Sequence, residues 1–373
     1  MLDLGVRLQL LIGDTIPTPA PYEIVNALVD LEVRNETEHR DTFKITFRLG
    51  RERTADDFAL IRSGVLDTER RVIVMMLFGA RPEVLIDGII TRHQNMASNQ
   101  PGQNQLVVFG ESIALRLDLQ ERNETYRNQS DSTIVNKILL RSDYTAYGLV
   151  PEVTPTTDIP VETDRIPSQQ NTDLQYIQSL AERNSFVFFI EPTAVPGVNK
   201  AYWGAENRQG LHQPPLTMNM GSATNVESFT AGFNTLAGVA PQVTITEPIT
   251  GQAIAIPVPD LSLPSLTSAP APTLRTRISR DSANLSFSEG LLRALTASNE
   301  SADAADANGV LDAAVYGQAL RARRLVDVRG AGRTNNGTYY VKQVTHRIKP
   351  GEYKQHFSLA REGRGATSSM VGL

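Results

Sequence analysis

The sequence predicts a mainly β protein interrupted by one α/β insert. Short runs with period-two alternation recur through residues 1–120, the middle of the chain changes to helix-then-strand text, and the C-terminal region returns to long alternating runs across a tight turn. In the first region Val6, Leu8 and Leu10 alternate, Leu28 to Val33 does the same, and Phe43, Ile45, Phe47 and Leu49 fall on one face. Val72 to Leu77 is a more continuous apolar run. Val84 to Ile90 carries an Asp87-Gly88 step, and Leu106 to Phe109 and Ile113 to Leu119 read as further strands. Turns fall at Pro82, at Pro101-Gly102 and at Gly110. Many short, evenly spaced strands imply a sandwich or a barrel.

The middle differs. Asp131 or Ser132 is placed to cap a helix with Ile134, Val135, Ile138 and Leu139 on one side. A Pro- and Thr-rich loop covers 151–168. Leu174, Ile177, Leu180 and Ala181 then mark one helical face, Asn184-Ser185 ends that helix, and Phe186 to Ile190 is an apolar strand. Strand-like text resumes over 215–250, as in Gln242 to Thr246. Pro257, Pro259, Pro264, Pro270 and Pro272 make the next stretch an extended linker or a long excursion without a core of its own. Ser286 with Glu289 forms a capping box ahead of Leu291, Leu292 and Leu295. Ala302 to Asn308 reads as a loop, Val310 to Arg321 as a helical segment, and Leu325 to Arg329 as a strand. The last two strands flank the turn Lys349-Pro350-Gly351-Glu352.

Composition bounds the function. At roughly 150 residues per domain, 373 residues allow two or three domains. The formal net charge is -5, from 36 basic and 41 acidic residues, which argues against binding nucleic acid through its phosphates. There is no cysteine, so disulfides, thiol nucleophiles and cysteine metal sites are excluded. The start, MLDLGVRLQLLIGD, lacks the basic region and cleavage site of a signal peptide, and no apolar run approaches the ~18 residues of a membrane span.

Candidate chemistry is sparse. On the last strand Tyr353, Gln355, Phe357 and Leu359 share one face, and Lys354, His356, Ser358 and Ala360 the other. His356 and Lys354 therefore lie on a polar face as possible interface residues. Val341, Val344, Tyr353, Phe357 and Leu359 are expected core residues. His346 shares a face with Tyr340, Val344 and Ile348 and reads as a half-buried structural residue. His39, His93 and His212 stand apart, with no metal-ligand spacing. Asp306, Asn308 and Gly309 look like the middle of a calcium loop, but Ala304 and Val315 occupy the outer ligand positions. Asp56-Asp57 and Glu121 with Glu124 are the carboxylates available for an acid/base pair, which needs two carboxyls about 5–10 Å apart across a cleft. Surface charge is the plainer reading. Gly330-Ala331-Gly332 lacks the strand-to-helix context of a phosphate cradle, and no serine sits in a nucleophile elbow. No catalytic residue, cofactor site or metal site is assigned.

Three blocks carry a resemblance. Leu325-Val326-Asp327-Val328-Arg329-Gly330, Gly337-Thr338-Tyr339-Tyr340-Val341, Val344-Thr345-His346, Tyr353, Phe357 and Arg361 follow in an order similar to the C-terminal barrel of phage late control D proteins. VgrG spike proteins and the hubs of contractile injection systems share that barrel. Asp173 to Ile177, Leu180 to Arg183 and Phe186 to Phe189 resemble the family's helix and following strand, with Ser185 where many relatives carry Gly. Ile61 to Gly64 and Leu85 to Ile90 resemble the first barrel.

The resemblance implies a homotrimeric baseplate hub of a contractile phage tail or contractile injection system. Each subunit would carry two small tube-like β-barrels, so that a trimeric ring meets a hexameric inner tube on one face and a trimeric spike on the other. The implied layout is a first barrel at 1–120 with return strands around 200–240, and an α/β insert at 121–199. Return strands and the start of the second barrel follow at 200–250, a Pro-rich linker or excursion at 251–284, helices and the second barrel at 285–363, and a flexible tail at 364–373. Because the chain ends soon after its last strand, the spike is expected to be a separate protein. Other expected partners are further baseplate proteins, with no nucleic acid and no direct membrane span. Assembly is expected in the bacterial cytoplasm. The rival class is a baseplate-associated cell-wall hydrolase, a glycosidase or peptidase. A carbohydrate-binding β-protein is a third, disfavoured by 6% aromatic residues and a single tryptophan, Trp203.

Overall fold

Alternating apolar residues pair into one 13-stranded sheet that runs through both halves of the chain. The computed structural model describes residues 5–50, 58–100, 102–160, 162, 166–246, 253–257, 265–279 and 303–366. The N-terminal part contributes β1 (Val6–Gly13), β2 (Thr18–Pro19), β3 (Leu28–Glu36), β4 (Thr42–Arg48), β5 (Arg71–Phe78), β6 (Arg81–Met96) and β7 (Gln105–Ser112). Between them lie two short helices, α1 (Tyr22–Asn26) and α2 (Ala59–Arg62). The insert holds β8 (Glu124–Thr125), α3 (Asp131–Leu139), α4 (Ser142–Thr145), β9 (Leu149–Val153), β10 (Ser168–Gln169), α5 (Asp173–Arg183), β11 (Val187–Pro192) and β12 (Asn199–Gly204). The remainder supplies β13 (His212–Thr217), β14 (Val226–Phe233), β15 (Val239–Thr246), β16 (Ala253–Pro257), β17 (Thr267–Pro270), β18 (Arg275–Ser279), β19 (Ala305–Asp312), β20 (Leu325–Arg329), β21 (Gly337–Lys349), β22 (Glu352–Arg361) and β23 (Gly363–Ala366).

The main path is β14-β19-β22-β21-β3-β4-β7-β6-β5-β1-β2, with β20 and β13 branching from β21. The branch lies within one long strand. Gly337 to Tyr340 of β21 pair with β20, and Gln343 to Ile348 pair with β3. At the changeover, Arg323 N–H donates to Val341 O, Val341 N–H to Arg324 O, and Thr37 N–H to Lys342 O. The edge of β21 thus passes from the C-terminal half to the N-terminal half without a gap in its hydrogen bonds. The two halves mirror each other about this seam: Phe43 of β4 lies opposite Gly110 of β7, and Phe357 of β22 lies opposite Gly309 of β19. A Cβ on either glycine would strike the facing ring, so each phenylalanine closes over a position only glycine can fill. One apolar core spans both halves.

The insert has its own core, built from α3, α5 and the sheet β11-β12-β9 around fully buried Trp203. Ser130 caps α3, one residue before Asp131, its hydroxyl accepting from Thr133 N–H at 3.4 Å. Thr172 caps α5 in the same way. That helix ends in a Schellman motif: Phe186 N–H reaches Ala181 O at 2.8 Å and Ser185 N–H reaches Glu182 O at 3.2 Å. The motif puts Ser185 at φ 58°, in the left-handed region. Ser185→Gly is expected to stabilise the protein by about 0.5–1 kcal/mol, because the strain relieved exceeds the chain entropy lost. A melting temperature that falls instead would contradict this.

The structure differs from the sequence expectations in several elements. Ile113 to Leu119 is a 3-10 helix over Ile113–Asp118 that buries Ile113, Ala114 and Leu117. Its apolar spacing fits both periods, and packing on the insert decides it. Ala302 to Asn308 is not a loop where it is described: β19 starts at Ala305, and the same strand replaces the expected helix at Val310, leaving one helical turn at Ala313–Tyr316. The proline-rich stretch is not without structure: β17 pairs with β23, and Leu266 packs with Leu325 and Tyr340. Strand β23, Gly363–Ala366, takes up residues 364–366 of the expected tail. The Ser286–Glu289 capping box, its helix and Asp56-Asp57 lie outside the described residues.

Candidate functional site

The seam between the halves carries a buried polar chain. His346 on β21 is fully buried rather than half-buried. Tyr353 O–H donates to its Nδ1 at 2.7 Å, and Gln355 Nε2 approaches the same nitrogen at 3.1 Å. Its Nε2 lies 3.0 Å from Asn35 Oδ1 on β3. Asn35 uses its amide hydrogens on Asp41 at 2.9 Å and Leu85 O at 3.2 Å, so its oxygen must accept and His346 must carry the proton on Nε2. Gln355 clamps Leu320, accepting from its N–H at 3.0 Å and donating to its carbonyl at 3.1 Å.

Burial, with the charge of Arg321 nearby, lowers the His346 pKa from 6.5 to about 3. The unfolded chain binds this proton below about pH 6.5, whereas the folded chain binds it only near pH 3. Stability contributed by neutral His346 is therefore complete above about pH 6.5 and is lost as pH falls toward 3, by about 1.4 kcal/mol per unit. His346→Gln is expected to be less stable at pH 7 yet to show a shallower fall in urea midpoint between pH 6.5 and 4. An unchanged slope would contradict the assignment.

Asp41 leads from this chain to Arg323, whose backbone sits at φ 63°. Arg323 donates to Asp41 Oδ1 at 2.6 Å and Oδ2 at 3.2 Å, and also to Glu36 O. Its guanidinium lies 4.8 Å from the centre of the Phe189 ring. One side chain thus ties the C-terminal half to the N-terminal half and to the insert. A second lock is Arg71, paired with Asp87 at 2.8 and 2.6 Å and donating to Thr15 O at 2.6 Å and Tyr147 O at 2.8 Å. Asn199 of the insert completes the Asp87 carboxylate at 2.7 Å. The signal for this pair was a charge inside apolar strand text, which needs a partner once buried.

A cleft of about 540 Å³ opens where the three parts meet. Its walls are the start of β6, the end of β11 and start of β12, the start of β13, and residues between 318 and 324. Glu83 lies between Arg81 at 2.9 Å and Arg321 at 3.6 Å, and Glu191 between Lys200 at 3.0 Å and Arg324 at 3.7 Å. Burial pushes the Glu191 carboxyl up, but Arg324 and Lys200 more than offset this and hold it below its ordinary pKa. An ionised, ion-paired carboxylate is a poor general acid.

The expected core residues Val341, Val344, Tyr353, Phe357 and Leu359 are all buried in the main core. Lys354 is engaged within its own chain, paired with Glu227 and with Asp312 at 3.1 Å. His356 is partly exposed. Glu124 pairs with Arg141 at 2.8 Å, while Glu121 sits in a β-bridge with Thr172. His212 Nδ1 is 3.0 Å from Asp327 Oδ1, and Thr338 donates to that same oxygen at 2.8 Å. The hydroxyl is thus bound by the carboxylate rather than by the imidazole, which is not the order of a nucleophile triad. Among the described residues no group of three or more His, Asp or Glu is placed to hold a metal, and no helix is long and apolar enough to cross a membrane.

Solved structures share this fold at low identity. A tail protein from Neisseria meningitidis MC58 superposes with a TM-score of 0.65 at 12% identity, over 97% of this chain and 98% of that one. The Escherichia coli c3393 protein is described as a component of the type VI secretion system with structural similarity to the T4 bacteriophage tail proteins gp27 and gp5. It superposes with a TM-score of 0.56 at 14% identity, over 92% and 77%. The Francisella PdpA-VgrG complex gives 0.58 at 9% identity, over 99% of this chain and 60% of that one. The fold is that of tail and VgrG proteins. No curated protein sequence matches the chain. The family described as the Alg8 N-terminal domain matches residues 19–208, just over half of the chain, and the chain belongs to that family.

Proposed function

We propose that the chain is a structural hub subunit of a contractile tail or contractile injection baseplate, of the late control D and VgrG N-terminal type. Three copies would form a ring joining a hexameric inner tube to a trimeric spike, with further baseplate proteins around it, assembled in the bacterial cytoplasm. The observation that carries this reading is the superposition on a tail protein over nearly the full length of both chains. The seam adds physical support: a sheet continuous through two mirrored halves gives each subunit two similar surfaces, as a threefold ring facing a sixfold tube requires. The halves on either side of β3 and β21 are the proposed barrels, and 121–199 the insert. Of the two interface candidates, His356 is the one left to face a partner, since Lys354 is already paired.

Deleting the gene in a particle-producing strain is expected to abolish spike-bearing particles in electron micrographs, and the intact chain should restore them. Purified protein is expected to release no fragments from peptidoglycan. Fragment release that disappears on changing Asp56, Glu121 or a histidine would replace this reading with the cell-wall hydrolase.

A further inference from the structure

We propose that the three-way cleft is a docking site for an acidic peptide segment of another protein, with Arg321 and Arg324 receiving its carboxylates and Leu211 covering its apolar side. The cleft has these charges and this shape whether or not the chain is a tail subunit. Four cations, Arg81, Lys200, Arg321 and Arg324, face two carboxylates, Glu83 and Glu191, in a chain whose formal net charge is -5. The positive excess is therefore local. Each carboxylate holds one cation closely, Arg81 at 2.9 Å and Lys200 at 3.0 Å, and leaves the second at 3.6–3.7 Å. The cations left at longer range are Arg321, which also donates to Val84 O at 2.5 Å and so keeps only part of its fork for a ligand, and Arg324. Burial lowers the pKa of Arg321, the Glu83 charge opposes this, and Arg324 lowers it further, as expected of cations short of negative partners. Arg324 is half exposed, so its planar fork can meet a carboxylate in two-point fashion.

The rest of the cleft suits a polypeptide better than a free ion. Leu211 at the rim is 96% exposed, and Pro82, Pro192 and Pro214 line the walls. An apolar rim around a charged floor matches a segment that alternates acidic and aliphatic side chains. The volume of 540 Å³ lies within the roughly 300–1,000 Å³ of ligand-holding clefts.

The test uses the full chain and a fluorescein-labelled peptide of alternating Asp and Leu, read by fluorescence anisotropy at low salt. The expected result is saturable binding that weakens as salt is raised. Arg324→Gln should weaken it about tenfold or more, and Leu211→Ser should weaken it measurably. Arg34→Gln, on the exposed side of β3, should leave it unchanged. Both cleft positions are exposed, so the variants should keep the wild-type circular dichroism. A peptide with Asn in place of Asp should bind at least tenfold more weakly. The proposal is overturned by absent binding, by equal binding of the Asn peptide, or by indifference to Arg324→Gln. Complete displacement by equimolar inorganic phosphate would mean a free-anion site and would also overturn it.

Discussion

Phe357→Ala is expected to give insoluble or non-assembling protein, whereas His356→Ala, one residue away, should fold normally. Phe357 is 3% exposed, belongs to the main core and lies across Gly309 of the neighbouring strand. Removing a buried phenylalanine costs about 3–5 kcal/mol, a large part of a typical stability of about 5–15 kcal/mol. Its seat cannot collapse easily, because Gly309 offers no side chain to fill the void. His356 points to the other face of β22, and its loss should at most weaken docking to a partner. Thermal melting and particle assembly in cells separate the two variants. A silent Phe357→Ala beside an unfolded His356→Ala would mean that the faces of β22 are reversed.

Arg323→Ala should be comparably damaging. The substitution leaves the Asp41 carboxylate buried without its cation, removes a donor from Glu36 O and strips the Phe189 ring of its guanidinium. Breaking one side of a buried pair costs about 3–5 kcal/mol. Because the strand and the insert meet at this residue, the loss should loosen the halves as well as lower the melting point. Adding Asp41→Asn removes the orphaned charge, so the double variant should regain part of the lost stability. Additive effects in the double variant would show that the two groups do not act as a pair.

Much of the fold was legible because alternation is local. Phe43, Ile45, Phe47 and Leu49 share a buried face, as period two requires, and the helix through Leu174, Ile177, Leu180 and Ala181 appears where its spacing puts it. Strand β19 was misread because Ala, Asp, Asn and Gly are poor strand formers taken alone. Its alternation of buried Ala305 and Ala307 with outward Asp306 and Asn308 makes sense only between β14 and β22. The seam was invisible for a different reason. His346 lies 311 residues from Asn35, and Arg323 lies 282 residues from Asp41, so neither pairing leaves a local pattern. What the sequence does offer is the oddity of His346 and Gln355 on the faces that otherwise carry Val344, Ile348, Tyr353, Phe357 and Leu359. Burial turns such groups into an obligatory hydrogen-bond chain.

The central claim, a ring-forming structural subunit, is tested most directly by native mass spectrometry of the purified chain alone and with its tube and spike proteins. The account predicts a trimer, alone or on adding the spike, that then takes up a hexameric tube layer. A chain that stays strictly monomeric with both partners present would contradict it.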